Sequence, residues 1–229
     1  MNELKKRTLT SIVLIFIGLF CIFMNPVIFL ISLITITGLA FYEISLIIGK
    51  IFKSVKKISY FFYNLLALYY GLIIFIGSAF SLQNTNTALQ STINSGPLCV
   101  LFILLICIFS DIGGYVVGKT IGGKKLTKIS PKKTISGSIG SFVFSIGPLL
   151  IFNYFFTSEY MFTIKNLFLC LEVSLLCQLG DIFISFLKRK AKIKDTGTLL
   201  PGHGGILDRI DGIIFAIPYA WIKLFFGIL

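Results

Sequence analysis

The sequence predicts an all-α, polytopic integral membrane protein with about seven transmembrane helices. Hydrophobic residues make up 56% of the 229 residues, and the mean hydropathy is +0.94. Charged residues account for only 13%, about half of the roughly 25% that is usual in soluble domains. This composition excludes a soluble enzyme and a nucleic-acid-binding domain, although the net charge is +12. Recurring apolar runs and the placement of the basic residues support the same prediction.

Seven apolar runs approach the length of about 20 residues that a membrane-spanning helix needs. The first follows a short basic segment, and because no small-residue cleavage site comes after it, we interpret it as a retained span and not a signal peptide. In chain order the predicted spans are 9–24, 27–48, 60–82, 98–117, 139–156, 164–187 and 212–228. The first three are interpreted as an N-terminal scaffold, residues 1–97, and the rest as a second membrane region, residues 98–229.

The connections between these spans are alternately basic and nearly uncharged. They lie in the N-terminal tail and in the connections 49–59, 118–138 and 188–211, with only Lys165 and Lys223 elsewhere. The connections in between are almost uncharged. Because cytoplasmic loops are enriched in lysine and arginine, the pattern predicts a cytoplasmic N-terminus and two long cytoplasmic loops.

Every aspartate lies at residue 111 or later in the chain, in or near these two loops. Asp111 and Asp181 lie within apolar runs, where a carboxylate costs roughly 2.5–3.5 kcal/mol and usually indicates a functional site, the alternative being an ion pair. Asp208 and Asp211 are three residues apart and would share one face of a helix. A divalent metal is the favoured partner, since oxygen ligands suit Mg²⁺ bound to a phosphate, but nearby basic residues could also supply the positive charge.

Glycines and lysines are interleaved in both loops. Glycine allows a close approach of backbone N–H groups to a phosphate, and lysine neutralises its charge. The pattern includes no P-loop motif, and taken alone it also fits solvated basic loops with turn glycines. The glycines concerned are Gly113, Gly114, Gly118, Gly122, Gly123, Gly202, Gly204 and Gly205.

Two segments of defined spacing stand out, within residues 110–140 and 178–212. The upstream one runs from Asp111 through Ser130-Pro-Lys-Lys-Thr134 to Gly137; the downstream one contains Gly180-Asp181, Ser185-Phe-Leu-Lys-Arg, Lys194-Asp195, Pro201-Gly-His-Gly-Gly and Leu207-Asp-Arg-Ile-Asp211. Together they resemble the signature of the phosphatidate cytidylyltransferases (CDP-diacylglycerol synthases).

The resemblance implies transfer of CMP from CTP to phosphatidate, with release of pyrophosphate and a requirement for Mg²⁺, with K⁺ implicated beside it. It implies an α-helical membrane fold that is dimeric where known, with the second region catalytic. Asp181 and Asp208 would bind the metal and Asp211 would support them. We interpret Lys188, Arg189 and Arg209 as partners of the triphosphate or the lipid phosphate. The further candidates for substrate binding are Asp111, Ser130, Lys132, Lys133, Lys194, Asp195, His203, Gly204 and Gly205.

Two positions depart from the family pattern. The family commonly has glutamate where this chain has Ser136 and Ile184, so a non-catalytic membrane scaffold also fits the sequence. A CTP-dependent polyprenol kinase, an archaeal-type lipid cytidylyltransferase and, less favoured, an ion-coupled transporter are compatible with it too. We expect a location in the bacterial inner membrane, with the active site facing the cytoplasm.

Overall fold

The computed structural model describes residues 3–53, 56–82, 96–156, 162–200 and 204–225, and within them the regular structure is helical. Two isolated β-bridges are the only extended pairings in these ranges. The all-α prediction is therefore confirmed. The helices are α1 Glu3–Met24, α2 Pro26–Ile51, α3 Lys56–Leu82, α4 Gly96–Ile121, α5 Ile135–Phe144, α6 Gly147–Phe156, α7 Ile164–Lys190, α8 Leu207–Ile210 and α9 Ile213–Phe225.

Five helical stretches of the described residues are long and apolar enough to cross a membrane. They are Val27–Ile51, Lys57–Ile74, Leu98–Ile121, Ile135–Phe155 and Ile164–Lys190, and a shorter apolar helix covers Val13–Met24. The chain is thus a multi-pass membrane protein. The count of seven spans and the cytoplasmic N-terminus stay predictions, as does the division at residue 97.

The chain forms two compact units. The first unit contains residues 1–82 and 187–210, and the second unit contains residues 83–186 and 211–229. In the first unit, α2 packs against α1 and α3. The α1–α2 junction is sharp because Asn25 caps α2, with its Oδ1 accepting a hydrogen bond from Val27 N at 2.8 Å, and Pro26 occupies the first helical turn.

In the second unit, α4 contacts α5, α6 and α9. The α4–α5 contact is close because small residues face each other: a Cβ added to Gly113 would lie 2.5 Å from the carbonyl oxygen of Gly140, and one added to Gly114 would lie 2.6 Å from Ser141 Oγ. Such small residues allow two membrane helices to approach backbone to backbone.

The run 139–156, predicted as one span, is two helices. Thr134 caps α5, since its Oγ1 accepts a hydrogen bond from Gly137 N at 3.1 Å, and α5 ends at Phe144. A new helix, α6, begins at Gly147, directly before Pro148, which has no N–H with which to continue the hydrogen bonding of α5. Because α4 ends at Ile121 and α5 begins at Ile135, the loop between them covers residues 122–134 and is shorter than the predicted connection 118–138.

Candidate functional site

In the first unit, the C-terminal end of α7 and the loop after it form a compact polar cluster around Asp208. The helix ends at Lys190, and Lys192 adopts a left-handed backbone with φ 55° while Ile193 N donates to Lys188 O at 3.0 Å. Farther on, Leu200 and Gly204 exchange backbone hydrogen bonds of 2.8 and 3.2 Å. Gly204 has φ +87°, a conformation that favours glycine.

Asp208 accepts hydrogen bonds on both carboxylate oxygens. Lys188 Nζ donates to Oδ1 at 2.8 Å. Oδ2 accepts from Thr196 N at 2.8 Å, from Gly205 N at 3.1 Å and lies 3.1 Å from Thr196 Oγ1. Burial alone would raise the pKa of Asp208, but the hydrogen bonds from Lys188, Thr196 and Gly205 and the charge of Lys188 outweigh it, so that the pKa lies below its ordinary value of 3.8. Asp208 is therefore an ionised carboxylate at neutral pH.

Glu43 is the important residue of this cluster that the sequence analysis did not select. It lies on α2, is 4% exposed, and accepts hydrogen bonds from Ile206 N at 3.0 Å, Leu207 N at 2.9 Å and Thr196 Oγ1 at 2.7 Å. The rule that selected Asp111 and Asp181, a carboxylate within an apolar run, applies equally to Glu43. The signal was thus present in the sequence, but Glu43 lies outside both signature segments.

The glycines of this loop lie so close to Glu43 and Asp208 that a side chain in their place would collide with the carboxylates. A Cβ on Gly205 would clash with Thr196 Oγ1 and both carboxylate oxygens of Glu43, and one on Gly197 would lie 2.8 Å from Glu43 Oε1. A Cβ on Gly204 would lie 2.8 Å from Asp208 Oδ2. These glycines therefore permit the close approach of carboxylates of the protein itself, whereas the approach of their amides to a phosphate stays a prediction.

The remaining candidates in the first unit are Arg189, Arg209, Lys194 and Asp195, which are all exposed. Their exposure leaves the three cations accessible to an anionic ligand. His203 lies outside the described residues, together with Pro201 and Gly202. Helix α8 ends at Ile210, so Asp211 is not on it, and the continuous helix on which a shared face of Asp208 and Asp211 depended is not present.

In the second unit, a turn positions Lys133 against Asp181. Lys133 N donates to Ser130 O at 3.1 Å, with Pro131 at the second position of the turn, where its fixed φ is favoured. Backbone hydrogen bonds of 2.8 Å from Leu126 N to Lys133 O and 3.0 Å from Ile135 N to Lys124 O hold the turn. Lys133 Nζ then lies 2.5 Å from Asp181 Oδ2, while the neighbouring Lys132 is exposed.

Asp181 and Asp111 share Lys133 as an electrostatic neighbour. Ser185, one turn after Asp181 on α7, donates from Oγ to Asp181 Oδ1 at 3.3 Å. Asp111 on α4 lies within electrostatic range of both Asp181 and Lys133, and its Oδ1 is 3.8 Å from Cys177 Sγ. The ion pair predicted as the alternative for these aspartates is therefore present at Asp181, and the functional site stays a prediction.

Asp211 occupies the turn before α9, where its Oδ1 accepts a hydrogen bond from Gly212 N at 2.9 Å. Gly180 makes room for this turn, since a Cβ there would lie 2.5 Å from Asp211 O.

The upstream glycines serve packing: Gly113, Gly114 and Gly118 lie within α4, so the prediction that their amides cradle a phosphate is wrong. Gly122 and Gly123, with φ of +65° and +107°, do lie in the loop.

The two positions that depart from the family pattern have structural roles. Ser136 Oγ donates to the carbonyl oxygen of Gly122 and lies 3.0 Å from Thr134 Oγ1, which ties the start of α5 to the end of α4. Ile184 is 1% exposed and packs in the core of the second unit. The residues present at these two positions therefore stabilise the helices around the Lys133–Asp181 pair.

The carboxylates fit a magnesium ion by the chemistry of their donor atoms. Within the described part of the chain, Lys188 donates to Asp208 Oδ1, whereas Thr196 N and Gly205 N donate to Oδ2 and Thr196 Oγ1 lies beside it, so Oδ1 retains acceptor capacity. Asp181 is 31% exposed. Oxygen ligands of this kind, one or two carboxylates per ion, suit Mg²⁺ bound together with substrate phosphates. Among the residues that the structure describes, no three His, Cys, Asp or Glu side chains form a metal-binding group by themselves.

Comparison with known proteins places the chain in a family. The phosphatidate cytidylyltransferase of Rickettsia bellii (strain RML369-C) is 44% identical over 131 residues, covering 52% of this chain and 54% of that protein. The enzyme of that name from Bacillus subtilis (strain 168) is 40% identical over 129 residues (56% and 48%). The uncharacterized protein YnbB of Escherichia coli (strain K12) is 35% identical over 162 residues (69% and 53%).

This chain spans about half the length of the curated relatives it matches. The sequence model of the cytidylyltransferase family, by contrast, matches residues 45–226, which is most of the chain. The match includes both lysine–aspartate pairs, Lys133–Asp181 and Lys188–Asp208. The chain belongs to the cytidylyltransferase family.

Proposed function

We propose that the protein is a phosphatidate cytidylyltransferase, which converts CTP and phosphatidate to CDP-diacylglycerol and pyrophosphate. The observation that supports this most directly is the Lys188–Asp208 pair at 2.8 Å, held by Thr196 and Gly205 within the signature segment of the family. The relatives from Rickettsia bellii and Bacillus subtilis are named for this activity.

In the proposed reaction, a phosphate oxygen of phosphatidate forms a bond to the α-phosphorus of CTP. The bond from that phosphorus to the oxygen bridging the α- and β-phosphates breaks, and its electron pair leaves with pyrophosphate. No general base is required, because the attacking phosphate is already ionised near neutral pH. Both reactants are anions, so the tasks of the protein are positioning and charge neutralisation.

Lys188 and Lys133 are suited to these tasks. An ammonium group has three N–H donors, and in each pair the carboxylate takes one of them, at 2.8 Å for Asp208 and 2.5 Å for Asp181. The carboxylate fixes the direction of the lysine, and the other two donors of each ammonium group are proposed to bind phosphate oxygens. The exposed Arg189, Arg209 and Lys194 add positive charge around the first pair.

Asp208 and Asp181 are each proposed as Mg²⁺ ligands, with K⁺ proposed beside it. When bound, Mg²⁺ would neutralise charge on the phosphate oxygens during transfer. The residues around Asp208 orient its carboxylate without the ion: Thr196 and Gly205 donate to Oδ2, and Oδ1 is directed at Lys188. We further propose that the enzyme is a homodimer in the bacterial inner membrane with its active site on the cytoplasmic side.

The test is an assay of the purified full chain with Mg²⁺, phosphatidate and CTP labelled at the α- or the γ-phosphate. Transfer of the α-label to lipid is expected. Asp208→Asn and Asp181→Asn should each lower turnover by at least about 10²-fold, because each removes charge that stabilises the transition state.

Glu172→Gln is the matched control, since it removes a carboxylate from the same helix as Asp181 and leaves an amide that still accepts from Lys223. It should keep turnover within about threefold. Transfer of the γ-label would instead identify a lipid kinase. Near-normal turnover of both aspartate variants would refute the assignment.

A further inference from the structure

Glu43 is a buried carboxylate whose hydrogen bonds all lead to the loop that precedes Asp208. It is 4% exposed on the apolar helix α2, more than 150 positions from its partners. It accepts from Ile206 N at 3.0 Å, Leu207 N at 2.9 Å and Thr196 Oγ1 at 2.7 Å. A carboxylate in this setting is costly unless it is fully hydrogen-bonded, so Glu43 favours the loop conformation that supplies these donors.

Thr196 connects Glu43 to Asp208. Its hydroxyl has a single proton but faces two carboxylates, Glu43 Oε2 at 2.7 Å and Asp208 Oδ2 at 3.1 Å. The shorter distance assigns the proton to Glu43. The backbone N–H of the same residue donates to Asp208 Oδ2 at 2.8 Å. Glu43 therefore holds Thr196 by its side chain, and Thr196 holds Asp208 by its backbone.

A second connection runs through the loop glycines. Gly205 N donates to Asp208 Oδ2 at 3.1 Å, and Gly205 lies against both oxygens of Glu43, with no space for a Cβ. The residues after it, Ile206 and Leu207, give their amides to Glu43. Two of the backbone donors of Asp208 are thus each placed by a contact with Glu43.

We propose that Glu43 is a positioning residue for the cytidylyl transfer, acting through Thr196 and Gly205 on Asp208 and Lys188. This role rests on the proposed function of Asp208. It assigns to α2, which lies outside both signature segments, a part in the active site. Glu43 itself contacts no substrate. Mutation of groups that orient a metal-binding carboxylate typically lowers metal affinity or activity by about 10- to 100-fold.

The experiment compares Glu43→Gln, Thr196→Val and Thr196→Ser in the full chain. Glu43→Gln replaces one acceptor oxygen with an N–H₂ group, so at least one loop bond is lost. We expect kcat to fall about 10-fold or more and the half-saturating Mg²⁺ concentration to rise by a similar factor. A loss of folded protein would lower kcat without moving the Mg²⁺ dependence. Thr196→Val should resemble Glu43→Gln, whereas Thr196→Ser keeps the hydroxyl and should restore most of the activity.

Hydrogen–deuterium exchange of the segment 204–210 gives a readout that does not depend on activity. The amides of Ile206 and Leu207 should exchange faster in Glu43→Gln than in wild type. Thr37→Val is the matched control: Thr37 is a buried polar residue of the same helix, but its hydroxyl bonds only to carbonyl groups of α2. It should leave both the exchange and the Mg²⁺ dependence unchanged.

The outcomes separate the inference from the function on which it rests. If wild type transfers no CMP, the proposed function fails, and unchanged exchange in Glu43→Gln would overturn the positioning role as well. If wild type is active and Glu43→Gln has an unaltered Mg²⁺ dependence, the inference alone is overturned. Equal activity of Thr196→Ser and Thr196→Val would overturn the step through the hydroxyl.

Discussion

Asp208 shows how a carboxylate inside a protein can remain charged. Burial disfavours the ionised form, but Lys188 and the amides of Thr196 and Gly205 donate to it, and together they lower its pKa below 3.8. Because the folded-state pKa is below the value expected for the unfolded chain, the ionised group stabilises the fold at all pH values above about 3.8. That stabilisation is lost as the pH falls through the lowered pKa.

This predicts a pH-dependent effect of Asp208→Asn on stability. At pH 7 the variant should be less stable than wild type by about 3 kcal/mol, the lower end for breaking one side of a buried ion pair. The difference in melting temperature in detergent should be constant from pH 8 to pH 5 and should shrink below about pH 4, since protonated wild type no longer has the ionised group.

Asp195→Asn is the control, because Asp195 lies on the same loop but is exposed. It should change the melting temperature little at any pH. A difference between wild type and Asp208→Asn that widens on acidification would contradict the predicted direction of the pKa shift.

At the scale of elements, α4 and α5 are joined by small residues on both sides. A Cβ on Gly113 would lie 2.5 Å from Gly140 O and from Phe144 Cβ, and one on Gly140 would lie 2.5 Å from Val117 Cβ. The contact matters for the site, since α5 begins directly after the turn that presents Lys133. A change in the spacing of these helices would displace that turn relative to Asp181 on α7.

We therefore predict that Gly113→Ala destabilises the protein by roughly 1–3 kcal/mol, as overpacking does, and weakens the Lys133–Asp181 pair. Gly71→Ala is the matched control, because nothing lies within 4 Å of the Cβ it would add. It should raise stability by about 0.5–1 kcal/mol through helix propensity alone. Thermal unfolding in detergent measures both. Equal effects of the two substitutions would show that the α4–α5 contact tolerates a methyl group.

The same contact shows where sequence reasoning succeeded and where it could not. Hydropathy located most of the long helices to within a few residues, because membrane spans are determined by local composition, but it did not separate α5 from α6. The glycines of α4 were misread as a phosphate cradle, since glycine at a helix–helix contact and glycine in an anion-binding loop look alike until the facing helix is known. Thr134 as the cap of α5 could have been recognised from its position before a helical run.

The site itself was predicted in part. Lys188, Asp208, Lys133 and Asp181 were all selected, because they lie in short signature segments, but which lysine pairs with which aspartate was not predictable from spacing. Glu43 was missed because its partners are distant in the chain. No local pattern links a carboxylate on α2 to the amides of Ile206 and Leu207; only the tertiary fold of the first unit does.

At the scale of the whole molecule, the basic residues are concentrated in a few segments of the chain. Apart from Lys165 and Lys223, every lysine and arginine lies in the N-terminal tail or in one of three connections. Lys223 forms an ion pair with Glu172. The basic connections contain both lysines of the proposed site. In the predicted topology and the proposed function, the same cations would both orient the protein in the membrane and provide the positive charge that anionic substrates need.

The predicted orientation can be tested with single cysteines and a membrane-impermeant maleimide. Four of the five native cysteines are buried and the fifth, Cys21, is partly exposed, so Cys21→Ser provides the background. Lys128→Cys and Lys194→Cys, at exposed positions of the two long basic loops, should be labelled only in inverted vesicles. Asn86→Cys, in the uncharged connection 83–97, should be labelled in intact cells, because positive charge is retained on the cytoplasmic side. One span separates Asn86 from Lys128 in the predicted topology, so labelling of both from the same side would mean that the span count is wrong. Labelling of Lys128→Cys from outside would place the proposed site on the side of the membrane opposite to cytoplasmic CTP.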